Sequence, residues 1–386
     1  MFGARNWLLT SLLVITGCEE SSIETPSGMT GLRIDTLLGE SDAAFARADQ
    51  PKAFSFPLDH GPHPAYRSEW WYLTAVLKDS AGNDYGLHYT LFRQALNPQA
   101  PGEGPWLTGQ AYLGHLAVTD VSKGLHLEAE RFARGHPGLA SVRIDDGFAA
   151  TIEDWSLHGS ADPAFNLTLA ATEHDQFSVN LDIRQTQSIV LQGERGWSEK
   201  APGSASYYYS VPRLDLNGTL EIEGREVSVA GLGWLDREWS TSVLAEGLEG
   251  WDWFALQLDD GRSIMAFQLR RQDGQRDDYD HGLLVDRREQ AEVSVAAVGT
   301  PGVTLLKPHN FTLQAVRYYR DDTGIRWPVT WQLRIGEEDF TIRAMLDDQR
   351  MDLSIVYWEG IVEVLDGSRK HIGRGYMELT GYTSAD

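Results

Sequence analysis

Ser68-Glu-Trp-Trp-Tyr-Leu-Thr-Ala-Val-Leu77 is rich in aromatic and β-branched residues and reads as a strand, the element whose side chains alternate between two faces. Alternation puts Trp71, Leu73, Ala75 and Leu77 on one face. After a loop carrying Gly82-Asn83, Tyr85 to Arg93 returns with Tyr85, Leu87, Tyr89 and Leu91 on one face and His88, Thr90 and Phe92 on the other. Further strands are predicted at Tyr112 to Thr119, Leu125 to Arg131, Ala149 to Ser156, Phe165 to Ala171, Phe177 to Arg184, Tyr207 to Val211, Asp215 to Ile222 and Glu226 to Leu235. No stretch keeps a helical period long enough to cover a sheet, so the chain is all-β and its sheets must close into barrels or pack as a sandwich.

The second half echoes the first. Trp71 to Leu77 with Leu87 to Arg93 is matched by Trp253 to Leu258 with Ile264 to Arg270. Phe165 to Leu169 with Phe177 to Ile183 is matched by Val329 to Leu333 with Phe340 to Leu346, and Tyr208 to Leu220 with Val227 to Leu235 by Tyr357 to Leu365 with Gly373 to Leu379. Three echoes in one order predict two antiparallel barrels in tandem, residues 49–240 and 241–386, with a turn at Asp236 to Trp239 closing the first.

At that boundary stand Trp234-Leu-Asp-Arg-Glu-Trp239 and Trp251-Asp-Trp-Phe254. Two readings fit: an ion-pair cluster against a core tryptophan, or a site at a barrel mouth. In an extended chain Asp236 and Glu238 share one face and Arg237 shares the other with Leu235 and Trp239. Glu238 is expected to hold Arg237. Asp252 shares a face with Phe254, Leu256 and Leu258, opposite Trp251 and Trp253; it can serve as a proton donor if desolvated, or pair with Arg237 or Arg270. His88, in a strand beside aromatics, is the histidine best placed to enter a cavity. No set of metal-ligand spacing is present, and no Gly-x-Ser-x-Gly elbow supports hydrolysis.

The 386 residues carry a formal charge of -23, which repels nucleic acid and anionic membrane surfaces. Arg5, the apolar run Trp7 to Ile15 and Ile15-Thr-Gly-Cys18 resemble a bacterial lipoprotein signal ending at a lipidated cysteine, here the sole cysteine of the chain. Residues 19–48 read as a polar tether, with a short helix expected at Ser41 to Arg47. Glu19 after the cysteine implies sorting to the outer membrane, facing the periplasm, so contact with a membrane is expected through the anchor only.

Glu69-Trp-Trp-Tyr72, Ala205-Ser-Tyr-Tyr-Tyr-Ser-Val-Pro-Arg213, Trp234 to Trp239, Gly250-Trp-Asp-Trp-Phe254 and Gly373 to Tyr382 together resemble the AttH/CrtC-like family, related to the carotenoid 1,2-hydratases. The resemblance covers roughly residues 50 to 386. It implies a pair of lipocalin-like barrels, an apolar isoprenoid or polyene ligand, and hydration or isomerisation without a cofactor; a non-catalytic lipid carrier is the alternative. Its implied catalytic groups are Asp252, Glu238 and Asp236. Its implied ligand contacts are Arg237, Trp239, Trp251, Trp253, Glu69, Trp70, Trp71 and Tyr208, to which the strand reading adds His88. Arg237 stands where the hydratases carry histidine, and arginine stays protonated, which moves the acid role to the carboxylates. Cys18→Ser is expected to abolish acylation, read by labelling cells with a fatty-acid analogue and fractionating them; equal labelling of both forms refutes the leader reading.

Overall fold

The computed structural model describes residues 44–98, 108–160, 164–241, 247–274, 276–287 and 294–384; Cys18 and the tether up to residue 43 lie outside the described residues. In the first half a meander of β1 (Ser68–Lys78), β2 (Asp84–Ala95), β3 (Gln110–Asp120) and β4 (Leu125–Arg134) precedes the shorter β5 (Ala140–Ile144), β6 (Phe148–Ile152) and β7 (Trp155–Gly159). Then come β8 (Leu167–Glu173), β9 (Phe177–Gln185), β10 (Ile189–Leu191), β11 (Trp197–Ala201), the long β12 (Ser204–Ile222) and β13 (Arg225–Ser240). Because β13 returns beside β1, the sheet runs β4-β3-β2-β1-β13-β12-β9-β8-β7-β6-β5 and curls into a barrel-like unit.

The second half begins with β14 (Leu248–Leu258), β15 (Arg262–Arg271), β16 (His281–Asp286), β17 (Val295–Ala296), β18 (Val303–Leu306) and β19 (Phe311–Arg320). It ends with β20 (Arg326–Ile335), β21 (Glu338–Ala344), β22 (Arg350–Asp352), β23 (Val356–Asp366) and β24 (His371–Leu379). Its sheet runs β18-β16-β15-β14-β24-β23-β21-β20-β19, while β17 crosses back to pair with β10 in parallel. The run β2-β1-β13-β12-β9-β8 in one sheet corresponds to β15-β14-β24-β23-β21-β20 in the other, and all three sequence echoes fall on matching strands. The fold is two tandem lipocalin-like antiparallel barrels.

Several local readings change. Asp236 to Trp239 is not a turn: β13 stays paired with β1 through Ser240. Ala149 to Ser156 is a hairpin, because Glu153 and Asp154 make a turn with Glu153 at φ 51°, and a charged dipeptide without glycine gives little turn signal. Tyr207 to Val211 and Asp215 to Ile222 are one strand, bulged between Val211 and Leu214, where Pro212 has no N–H to give the ladder. Ala44 to Arg47 form a turn and extended chain rather than a helix. The first echo is also shifted by one residue: Trp71 faces the first core but Trp253 faces away from the second, and a one-residue slip exchanges the faces of a strand.

Inward side chains fill both barrels. Trp71, Tyr89, Trp155, Leu181 and Trp239 pack the first; Phe254, Trp327, Trp331, Trp358 and Met377 pack the second. Full burial of each large apolar side chain contributes about 1.5–3 kcal/mol. A third cluster lies between the barrels, where Tyr72, Val76, Tyr208 and Trp234 of the first meet Trp253, Met265, Ile361 and Tyr376 of the second. Gly86 sits in this seam because a Cβ there would lie 2.9 Å from the Tyr376 hydroxyl and 3.2 Å from Cβ of Ile361. Gly86→Val is expected to wedge the seam and cost about 1–3 kcal/mol, read from the denaturant midpoint; an unchanged midpoint refutes this close packing.

Candidate active site at the seam between the barrels

Directly paired residues on neighbouring antiparallel strands project to the same face, so the register defines rows of side chains. On the seam face of the first barrel one row runs His115, Thr90, Tyr72, Asp236, Ser210 across β3, β2, β1, β13 and β12. On the second barrel a row runs Glu359, Glu378, Trp253, Phe267, His281 across β23, β24, β14, β15 and β16. Two polar and aromatic rows are thus set against each other where an ordinary sheet interface is apolar.

The rows interlock. The Tyr72 hydroxyl donates to Glu359 Oε1 at 2.5 Å, and its ring meets Trp253 edge-on at 5.1 Å. Trp253 Nε1 donates to the Tyr208 hydroxyl at 3.4 Å, which in turn donates to Asp236 Oδ2 at 2.5 Å. Ser210 Oγ and Trp234 Nε1 donate to Asp236 Oδ1 at 2.5 and 2.7 Å. With three donors on its oxygens, Asp236 positions Tyr208. Lys200 Nζ lies 5.2 Å from the Tyr208 ring centroid and 3.5 Å from Glu238, at the side of the seam.

Burial dominates the electrostatics. It pushes the Glu359 carboxyl well above the usual range, against the hydrogen bond from Tyr72. Glu378 is also pushed well up, by desolvation and by the Glu359 carboxyl opposite it, against a hydrogen bond with Trp251. Glu378 keeps some solvent contact, as does Trp251, whereas Glu359 is fully buried behind it. Burial raises Asp236 to about 7, against its three hydrogen bonds. His88 Nδ1 lies 3.5 Å from Glu359 Oε1, the spacing of an ion pair, but burial lowers His88 to about 3. Burial thus disfavours the charged form of both partners in this contact. The arrangement sets carboxyls with raised proton affinity beside indole and phenol rings.

The structure sorts the sequence candidates into separate places. Trp70, Tyr208, Asp236, Trp251, Trp253 and His88 belong to the seam. Glu69, Trp71, Arg237 and Trp239 lie inside the first barrel, where Arg237 donates to Glu69 Oε2 at 2.6 Å and its guanidinium lies 3.8 Å from the Trp71 ring centroid. Burial alone would raise Glu69, but Arg237 and Arg93 outweigh it and hold this carboxyl far below its ordinary value. Arg237 is therefore held by the Glu69 carboxylate and not by that of Glu238, which alternation directs to the other face of β13. Asp252 lies inside the second barrel, accepting from the Tyr382 hydroxyl at 2.8 Å; burial raises it to about 7 against the Arg270 charge. The structure does not bring Asp252 or Glu69 to the seam.

Sequence reading missed Glu359, Glu378, Tyr72 and Tyr357 as functional groups. Glu359 shares a face with Tyr357 and Ile361, and Glu378 with Tyr376, so a carboxylate on a largely apolar face was the available signal. It was silent because both faces of these strands are covered, one by a core and one by the other barrel.

Fold and site define a two-barrel β-protein with a carboxyl-lined seam. The chain belongs to the AttH-like family, whose profile matches residues 47–382. It is similar to an AttH protein of Nitrosomonas europaea, with 32% identity over 88% of this chain and 100% of that one and a TM-score of 0.75. It shares its fold with kievitone hydratase of Nectria haematococca (14% identity, 89% and 97% of the two chains, TM-score 0.63) and with CghA (14%, 89% and 97%, TM-score 0.53). Among curated proteins, no sequence matches the chain.

Between pH 3.8 and about 7 folded Asp236 retains a proton that the unfolded chain has lost, so its contribution to stability falls as pH rises through that window and is gone above it. Asp236→Asn removes this dependence. Relative to wild type it is expected to gain on the order of 4 kcal/mol across the window. Denaturant midpoints of both forms at several pH values check this; parallel profiles refute it.

Proposed function

We propose that this chain is a hydratase-type enzyme that adds water to an alkene of an apolar isoprenoid or polyene at the seam. The observation that carries the reading is the pair Glu359 and Glu378, directly opposite each other on β23 and β24 and flanked by Trp253 and Trp251. Like charges at such a spacing do not both ionise, so the pair holds a proton at neutral pH. Glu378, the more accessible member, protonates the alkene; the tertiary cation forms against the faces of Trp251, Trp253 and Trp70. Water attacks the cation and releases its surplus proton to solvent, and the carboxylate is reprotonated, so that H and OH are added and nothing is oxidised. Kievitone hydratase, which shares the fold, is by name an enzyme of the same reaction type. A facing pair of buried carboxyls suits proton transfer rather than storage of an apolar ligand, which favours an enzyme over a lumenal carrier. The carotenoid-like substrate and the outer-membrane anchor at Cys18 are part of the proposal: an acylated tether would hold the seam beside a source of apolar substrate.

Full-length protein incubated with acyclic carotenoids and shorter isoprenoids in ¹⁸O-labelled water is expected to yield a product carrying one added labelled water. Glu378→Gln, which keeps the shape, should lower turnover by roughly 10²–10⁴-fold with the near-UV spectrum unchanged. No hydrated product from folded wild type, or full activity in Glu378→Gln, refutes the reading.

A further inference from the structure

Behind Glu359 a line of titratable groups leaves the seam and reaches the surface through the first barrel's outer face. His88 Nδ1 is 3.5 Å from Glu359 Oε1, and His88 Nε2 is 3.2 Å from the Tyr357 hydroxyl. The same hydroxyl is 2.8 Å from His115 Nδ1, and His115 Nε2 is 3.0 Å from Glu130 Oε2. Glu130 closes the line with its side chain 23% exposed, while the side chains of His115, His88 and Glu359 are 1% exposed or less. His115 hydrogen-bonds through both ring nitrogens and His88 through Nε2, its Nδ1 facing Glu359 without a closed hydrogen bond, and the phenol bridges the two rings. The other groups facing it are Thr90 Oγ1, 3.2 Å from His88 Nε2, the Tyr72 hydroxyl on Glu359, and Ser354 Oγ, which donates to Glu130. Phe92, edge-on to His115 at 5.6 Å, shields it on one side.

We propose that His88, Tyr357 and His115 form a one-proton wire between the surface carboxylate Glu130 and the buried Glu359, through which the seam's acid pair is recharged; this rests on the acid role assigned to that pair. Two arrangements of hydrogens fit the geometry. With Glu359 protonated, its O–H points to His88 Nδ1, His88 Nε2–H donates to the Tyr357 oxygen, the Tyr357 O–H donates to His115 Nδ1, and His115 Nε2–H donates to the Glu130 carboxylate. With Glu359 ionised every hydrogen points the other way and Glu130 holds the proton. Passing between them moves one proton from Glu130 to Glu359, and each imidazole changes tautomer while staying neutral. Burial, which disfavours imidazolium at both histidines, suits this shuttle and opposes a resting charge midway. In the hydration cycle the proton given to the alkene stays in the product, the attacking water releases one proton to solvent, and the acid pair regains one from bulk through Glu130. The relay residues never touch the substrate; they act through Glu359.

Infrared spectra of the full chain test this without a substrate. The protonated-carboxyl C=O band that disappears in Glu359→Gln belongs to Glu359. On transfer to D2O that band should shift promptly in wild type and at least roughly ten-fold more slowly in Tyr357→Phe, which removes the bridging hydroxyl and keeps the ring. Glu130→Gln, at the exposed end, should slow it as well and guards against a folding defect in the buried variant. With an active substrate, Tyr357→Phe should leave the first turnover intact and slow the later ones. Equal exchange in all three forms overturns the wire alone. Absence of any Glu359-dependent band shows an ionised Glu359 and overturns the wire together with the acid assignment.

Discussion

The hydroxyl of Tyr72 donating to Glu359 joins two barrels whose meeting faces mix apolar and polar side chains away from solvent. A buried carboxyl is tolerated when it is neutral and hydrogen-bonded, and a buried phenol when its hydroxyl has an acceptor, so each sheet supplies what the other cannot leave unpaired. Loss of either partner strands the other at a cost of about 1–3 kcal/mol. The same requirement accounts for Asp236, whose three donors all come from its own barrel, and for Trp253, which reaches across to Tyr208. Polarity in this interface makes it specific as well as adhesive: a shift in register of either sheet would break several of these bonds at once.

Carboxylates in this molecule divide into two regimes by environment alone. Glu69 is as buried as Glu359, yet two guanidiniums keep it ionised and it serves as the cross-link of the first barrel's interior. Glu359 has a phenol and an imidazole for neighbours, and burial raises it well above the usual carboxylate range. Charged neighbours favour the ionised form of the first and burial the neutral form of the second, the usual division between acids tuned apart by their surroundings. Placing Glu359 and Glu378 between two rigid sheets also holds them in position without a mobile loop.

Much was legible in the chain. Alternation located most of the strands, and the three echoes predicted a duplicated topology that the sheet order reproduces strand for strand. The faces of β13 and β14 were read correctly as well, with Arg237 beside Trp239 and Asp252 beside Phe254. The partner of Arg237 was not, because Glu69 lies far away in sequence and meets it only through the β1–β13 pairing. The hairpin at Glu153 escaped notice because its turn residues lack the glycine or asparagine that usually marks one.

Sequence by itself therefore determined the class of fold, its duplication and which residues share a face, since these follow from a two-residue period that any strand must obey. Which face becomes a core and which a seam was decided only by the tertiary structure. A strand covered on both sides has no polar face to betray its orientation, and Glu359 and Glu378 look in sequence like ordinary acids of a β-sheet surface. They become a buried pair because β23 lies beside β24 and because the outer face of the first barrel packs over them. That placement depends on contacts between residues nearly three hundred positions apart, as between Tyr72 and Glu359, and no local pattern encodes it.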